Sequence, residues 1–426
     1  MITFRSAAHD PRVTARVGLW LGVAFGICFV TGLISHGIQH PPVWFSWPSR
    51  PVNLYRVTQG LHVLSGIAAI PLLLAKLWSA YSKLFARPLV RSLPHALERL
   101  SILVLTGAAF FELVTGLFNV AQNYLWGFYF PTAHYAVAWV AIGSILVHVA
   151  VKLPIIRRAL TREPAPELDV PHDTSARPDG ELSQNENPGI ARPDDEGTGA
   201  EVARDEAHQP VGAFARITNA ALPSGPTESD LNSVAAAQSR RRFLRTTWLG
   251  SAVAVLVTAG ATVPFLRDVS VLSWRSGRPL PVNRTASAAG IMVPEGWRLE
   301  VVTAAATRTF SLADLNALPQ ATEDLPISCV EGWSAMARWT GVRMVDLLRA
   351  VDAAPGSSVR AVSLEKGSIY STSILPGEHT TDPATLLALQ VNGEVLPADH
   401  GFPCRIIAPS RPGVLQTKWV TRLEIT

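Results

Sequence analysis

Cys329 is one of three cysteines in 426 residues, the others being Cys28 and Cys404. It stands in Ser328-Cys329-Val330-Glu331-Gly332-Trp333, a polar and aromatic setting unlike an apolar core strand, although a packing cysteine would have the same residue type. A thiolate there is a soft metal ligand or a nucleophile. The three cysteines are too far apart in sequence for a disulfide framework or a zinc site. The second chemistry belongs to histidines. His36, His62, His95, His134 and His148 lie in or at the edges of long apolar runs, where ionisable groups are costly and mark function. His134 and His148 are 148 − 134 = 14 residues apart, which on a helix returns to nearly the same face, roughly 21 Å further along the axis. That spacing suits two stacked haems, each held by neutral imidazoles from facing helices.

The elements that must position these groups are four apolar runs at 17–35, 57–78, 100–121 and 134–153, each about long enough to cross a bilayer as a helix. A mean hydropathy of +0.22 with 16% charged residues is too apolar for an ordinary soluble protein. The net charge of +4 is small, and its basic residues cluster beside the apolar runs, so they signal topology and not a nucleic-acid surface. Arg5, Arg12 and Arg16 precede the first run. Lys76, Lys83, Arg87, Arg91 and Arg99 surround the 79–99 loop, and Lys152, Arg157, Arg158 and Arg162 follow the fourth run. The opposite loops, 36–56 and 122–133, carry only Arg50 and Arg56 among basic residues and gather Trp44, Phe45, Trp47, Tyr124, Trp126, Phe128, Tyr129 and Phe130. The N-terminus and the 79–99 loop are therefore expected in the cytoplasm. In that orientation His36, His62 and His134 are outer and His95 and His148 inner. The expected outer pair is His62 with His134, with His36 as the alternative partner, and the inner pair is His148 with His95.

This pattern over residues 17–153 resembles the membrane b-type cytochromes that serve bacterial quinone-linked dehydrogenases, through its histidines and through Gly66, Gly107 and Gly116, which allow close approach of helices or a macrocycle. The resemblance implies haem b, one or two, and the quinone pool as partner.

Residues 155–238 are rich in Pro, Gly, Ser, Asp and Glu and are expected to form a disordered cytoplasmic linker. It ends at Ser239-Arg240-Arg241-Arg242-Phe243-Leu244-Arg245, followed by a small-residue apolar run from Trp248 to Phe265. This resembles a twin-arginine signal and implies the twin-arginine export machinery as a partner. Ala259-Gly260-Ala261 resembles a cleavage site; the expectation is retention as a fifth span, because one chain carrying two redox groups works only if they stay together.

From 269 to the end, short β-branched runs at 299–302, 360–364 and 405–408 alternate with Pro- and Gly-rich turns, and 310–318 is a short amphipathic helix opened by Ser311. Asn392-Gly393-Glu394, Leu396-Pro397, Asp399-His400-Gly401-Phe402-Pro403-Cys404-Arg405, then Pro409, Gly413 and Lys418-Trp419, are similar to the pterin-pocket signature of the sulfite oxidase family. The Cys329 segment and Trp339, Gly341, Val342, Leu347 and Leu348 are similar to that family's molybdenum-ligating segment. The resemblance implies an α+β, mostly β, molybdopterin-binding fold with Cys329 as the thiolate on molybdenum. His400, Arg405 and Lys418 would hold the pterin and its phosphate, and Asn283-Arg284 matches an early pterin contact over two residues. The family's substrate-binding arginines are not located by motif; Arg338, Arg343 and Arg411 are candidates.

The expected architecture is multi-domain: a four-span α-helical transmembrane bundle over 1–154, the linker at 155–238, the signal-like fifth span at 239–268, and the molybdopterin-binding oxidoreductase domain at 269–426. The expected function is oxo transfer to or from a small molecule at an extracytoplasmic molybdenum site on a bacterial cell membrane, coupled through haem b to quinone. The alternatives are a quinol-linked sulfoxide reductase and a haem-containing membrane redox sensor with an inactive pterin domain.

Overall fold

The computed structural model describes residues 9–42, 44–84, 92–161, 228–273 and 280–426. Its first half is helical: α1 (Pro11–Gln39), α2 (Leu54–Leu84), α3 (Leu93–Val120), α4 (Phe130–Thr161) and α5 (Glu228–Thr258). Each of the five is long and apolar enough to cross a membrane. The helices outrun the apolar stretches because their ends are capped. The Asp10 carboxylate accepts the Arg12 amide at 2.7 Å with Pro11 in the first turn, and Ser92 caps α3 in the same way.

The boundaries of the expected linker need correcting. α4 runs through Pro154 to Thr161, and α5 begins at Glu228, so 155–161 and 228–238 are helical. Ala235-Ala236-Ala237 are strong helix formers within a stretch whose average composition is polar. The rest of the linker, residues 162–227, lies outside the described residues.

α1 packs along α2 and α4, and α3 along α2 and α4, closing a ring of four helices. α5 lies outside this ring. Trp248 meets Trp20 edge-on at 4.5 Å, the Ser251 hydroxyl donates to Ala68 O at 3.1 Å, and Arg240 pairs with Asp10 at 3.1 Å. At that same end Lys76 Nζ donates to Thr14 O and Lys152 pairs with Glu98. The charged ends of the helices are thus gathered at one end of the bundle.

The second half begins with β1 (Arg298–Val302), β2 (Thr307–Ser311), α6 (Leu312–Ala317), β3 (Gln320–Ser328), β4 (Ser334–Arg343) and α7 (Met344–Ala350). It continues with β5 (Val359–Ser363), β6 (Thr372–Leu375), α8 (Gly377–Thr380), β7 (Leu386–Val391), β8 (Glu394–Val395), β9 (Arg405–Ile407) and β10 (Val420–Ile425). One sheet has the order β2-β1-β10-β5-β6; the other runs β3-β4-β7-β8 with β9 also on β7. Among the described residues only β1 with β10 is parallel. Ser311 opens α6 with a full capping box to Asp314. Leu299, Leu347, Val359, Ile406 and Leu423 fill one core, where each such side chain contributes about 2 kcal/mol. β3 changes character along its length, alternating at first and then buried at every residue from Leu325 to Ser328. Its end is covered on both faces, and Val52 and Ala261 from the helical half pack against that cluster.

This strand domain sits on the end of the bundle away from the charged cluster. Gln59 and Asn119 both donate to Val330 O, at 3.0 and 3.2 Å, and Thr262 donates to Gly332 O at 2.7 Å. Gly332 has φ +88, and a Cβ there would meet Val63 Cγ2 at 2.6 Å, so glycine is required twice over. The Ser410 amide donates to Val52 O, and Arg50 forks onto Asp382 at 3.0 and 3.1 Å.

Burial pushes the Asp382 carboxyl up, but bonds from Arg50, the Ala384 amide and Ser49 outweigh it, and the group titrates below its ordinary range. A depressed folded value means that the contribution is present above the unfolded carboxyl pKa of about 3.9 and is lost as pH falls through the folded value. Arg50→Ala is expected to loosen the docking by about 1 kcal/mol, a modest figure because the arginine is exposed, and to remove this acid-sensitive component. Limited proteolysis of parent and variant between pH 3 and 7 measures both.

Candidate functional site

Cys329 follows the end of β3 in a closed turn. Its amide donates to Trp333 O at 2.9 Å and its carbonyl accepts the Gly332 amide at 3.0 Å, so the backbone alone fixes the loop. The thiol is 2% exposed and lies 3.6 Å from Glu331 Oε2, which also takes the Trp333 indole N–H at 2.9 Å and the Gln122 amide. Tyr55 from α2 and Tyr370 from the loop before β6 both lie within electrostatic reach of the thiol. Tyr370 is hydrogen-bonded to Tyr129 at 3.1 Å. The thiolate candidate is therefore enclosed by side chains from both halves.

Behind it, a cradle of cations has formed around the turn at 398–401 and strand β9. Arg405 is 2% exposed and bonds only carbonyls, His400 O at 3.0 Å and Gln416 O at 3.1 Å, while stacking 5.1 Å over Trp339. Its Nε and that of buried Arg411 have no partner. Neither guanidinium lies within ion-pair distance of a carboxylate among the described residues, and burial pulls them down to about 9 and about 10. Lys418 Nζ donates to Arg284 O and Asp399 O and sits 4.3 Å over Trp419. Burial, then Arg405, bring it down to about 7, and burial with Arg405 and Lys418 beside it takes His400 to about 4. Buried guanidinium groups without an ion pair are costly, and a guanidinium fork with a lysine suits phosphate. His400, Arg405 and Lys418 are thus brought together, with Arg284 beside them on Glu365 at 2.6 Å.

Of the substrate-arginine candidates, Arg338 pairs with Asp324 at 3.2 Å and Arg343 bonds Pro383 O and Glu323, both on the exposed sheet surface. Arg411 alone is buried, two residues from Gly413, whose position abuts Ser328 O. Cys404 is fully buried in the core, and burial pushes its thiol up.

In the helical half, His62 and His134 face each other with ring centroids 6.0 Å apart and planes at 81°. Cys28 O can only accept, so at 2.8 Å from His62 Nδ1 it fixes the proton on that nitrogen. His134 Nδ1 is 3.0 Å from Glu112 Oε2. Both Nε2 atoms are left as donors of electron pairs. The two residues line a cavity of about 170 Å³ with residues of all four ring helices, among them Phe29, Gly66, Glu112, Gly116 and Ala138, and with Val330. His36 instead stacks on Tyr135, centroids 3.7 Å apart and planes at 8°, and also meets His40. His95 receives Arg99 at the start of α3, and His148 is half-buried near the Glu98–Lys152 pair. The cavity wall does not include His95 or His148.

Sequence reasoning missed Glu112, Gly32 and Cys28. Glu112 is the one acid inside the four apolar runs, and that was the available signal. At Gly32 a Cβ would meet His62 Nδ1 at 2.7 Å and Cε1 at 2.8 Å. Gly32→Ala is expected to push the His62 ring off the Cys28 carbonyl and at least halve the absorbance of any chromophore held by that imidazole. Gly22, with nothing within 4 Å, tolerates alanine. Absorbance per chain of the two purified variants checks this.

Residues 286–426 match the family model for the oxidoreductase molybdopterin binding domain. A protein-methionine-sulfoxide reductase subunit, YedZ1, of Azospira oryzae is 35% identical over 117 residues, 28% of this chain and 44% of that relative. Mitochondrial sulfite oxidase of Drosophila melanogaster is 30% identical over 161 residues, 32% of this chain and 28% of the relative. The protein-methionine-sulfoxide reductase catalytic subunit MsrP of Ralstonia nicotianae is 26% identical over 229 residues, 43% of this chain and 68% of the relative. The chain spans less than half the length of the first two. Its strand domain is a molybdopterin-binding oxidoreductase domain.

Proposed function

We propose that this oxidoreductase is a membrane-bound oxo-transfer enzyme whose molybdopterin site on the strand domain exchanges electrons with the quinone pool through haem b in the helical bundle. The observation that carries the reading is Val330. It follows Cys329 directly, its carbonyl is held by Gln59 and Asn119 from α2 and α3, and its side forms part of the wall of the His62–His134 cavity. The residue next to the thiolate that would hold molybdenum is thus bonded to α2 one turn from His62, since Gln59 precedes His62 by three residues. Bound in these places, molybdopterin supplies two-electron oxygen-atom transfer and haem carries single electrons.

The residues fit both groups. Cys329 gives a soft ligand that a metal deprotonates, and Arg405 and Lys418 supply the counter-charge to a phosphate, with the neutral His400 imidazole as a hydrogen-bonding group beside them. His62 and His134 offer two Nε2 atoms whose opposite nitrogens are already bonded, the second-shell arrangement that fixes a ligating imidazole. Glu112 is buried with Oε1 unpartnered, a cost that a positive metal centre nearby offsets. The gathering of Lys76, Lys152 and Arg240 at the far end supports a cytoplasmic position for that end and an outer position for the strand domain. Export of a folded pterin domain then falls to the twin-arginine route through Arg240 and Arg241. Retention of α5 is favoured because Ala259 and Gly260 are buried and the adjoining Thr262 is bonded to Gly332.

For direction, reduction of a sulfoxide at the expense of quinol is the reading that the relatives favour. This one chain matches both a subunit and a catalytic subunit named for protein-methionine-sulfoxide reduction. Oxidation of a sulfur substrate is the reverse reading, supported by the sulfite oxidase match. The test is to purify the full chain from membranes and measure molybdenum, haem absorbance, and turnover with methionine sulfoxide plus reduced quinone against sulfite plus quinone. One molybdenum and one haem per chain are expected, with faster sulfoxide turnover. A chain lacking either group sinks the coupled reading.

A further inference from the structure

α3 presents a polar stripe to the cavity. Glu112, Thr115, Gly116 and Asn119 follow one another at helical spacing, three, four and seven residues on, and so share a face. Glu112, Thr115 and Asn119 are buried at 8%, 4% and 6% exposure. Two of these have plain duties: Asn119 holds Val330 O, and the Thr115 hydroxyl donates to Phe111 O at 2.6 Å, so it can only accept weakly from His134 Nδ1 at 3.5 Å. Among the described residues Glu112 is partnered by His134 alone, with Oε2 at 3.0 Å from Nδ1 and Oε1 left without a partner.

The two imidazoles are therefore backed unequally. Behind His62 stands a neutral acceptor, the Cys28 carbonyl at 2.8 Å, with the Cys28 sulfur at 3.5 Å. Behind His134 stands a carboxylate. We propose that Glu112 is a positioning residue for His134: its carboxylate holds the Nδ1 proton, turns Nε2 towards His62, and makes His134 the more electron-rich of the two ligands. This rests on the haem reading above. A carboxylate behind a ligating imidazole raises its basicity and favours the more positive state of the metal, so Glu112 sets the haem potential low. A Cβ at Gly116 would lie 3.7 Å from His134 Cε1, so the imidazole packs against this face of α3 at van der Waals distance.

The experiment compares the full chain with Glu112→Gln and Glu112→Asp, purified from membranes, by haem content, spectroelectrochemical titration and low-temperature electron paramagnetic resonance. Glutamine keeps an acceptor for Nδ1 but not the charge. The expected result is unchanged haem content in Glu112→Gln with a midpoint potential shifted upward and altered low-spin g values; Glu112→Asp stays closer to the parent. Should glutamine cost the haem altogether while aspartate keeps it, a carboxylate at this position is still shown to be required. An unchanged potential and spectrum in Glu112→Gln overturns the assignment, as does loss of haem from both variants, which marks Glu112 as packing only. Absence of haem from the parent chain fails the underlying reading instead, and the two failures are told apart by that measurement.

Discussion

Cys329→Ser is expected to leave the fold and the haem spectrum intact and to lower oxygen-atom transfer by a factor on the order of 10³ or more, the scale of loss when a group acting directly in the reaction is removed. The fold survives because the turn is made by backbone bonds, from the Cys329 amide to Trp333 O and from the Gly332 amide to Cys329 O, and serine leaves both in place. The serine hydroxyl is also compatible with the Glu331 carboxylate that the thiol faces. What is lost is the soft, readily ionised sulfur, since an alkoxide at that position is hard and is protonated at any working pH. Cys404→Ser supplies the contrast. Its sulfur lies in the core 3.5 Å from Val420 O, a carbonyl that a serine hydroxyl can use. That variant should lose about 1 kcal/mol of stability and keep its activity. Turnover by Cys329→Ser at the parent's rate would remove Cys329 from the chemistry.

The placement of the strand domain's candidate residues was legible because they sit in contiguous motifs. Cys329 and Glu331 share one loop, and His400 and Arg405 flank one turn, so their approach in space follows from short-range sequence. Lys418 came from the family resemblance, and the structure places it against the same turn. The bundle was legible only in part. Hydropathy finds the spans and the basic loops find their ends, but a helix's rotation about its axis depends on contacts between helices that no local pattern records. Hence His36, at the right depth, turns onto Tyr135, and the carboxylate behind His134 comes from the neighbouring helix α3. The docking of the two halves was the least legible. Gln59, Asn119, Thr262 and Gly332 are ordinary residues in their own segments, and their meaning lies in the carbonyls and side chains they reach across 70 or more residues. Linker composition misled at its edges, because a polar average concealed helix-forming ends at 155–161 and 228–238.

The second large effect is expected at His134. His134→Leu should remove the haem absorbance and stop quinone-linked turnover, while an artificial electron carrier that reaches the strand domain directly still supports oxo transfer. The substitution also strands Glu112, whose Oε2 loses its partner while Oε1 already has none; a buried carboxylate left alone costs about 3 kcal/mol or more. A fall in stability alone would therefore imitate loss of the haem site. His134→Leu combined with Glu112→Gln separates the two, since the neutral amide relieves the buried charge but restores no ligand. If the double variant recovers thermal stability and still lacks haem, the loss belongs to the imidazole. His148→Leu is the control within the same helix: it lies 14 residues further on, beside the Glu98–Lys152 pair and outside the cavity wall. It should keep the chromophore and quinone activity. The opposite pattern, with haem retained in His134→Leu and lost in His148→Leu, would move the redox centre to the charged end of the bundle, a full helix span away from Val330, and direct transfer across the Cys329 loop would no longer be tenable.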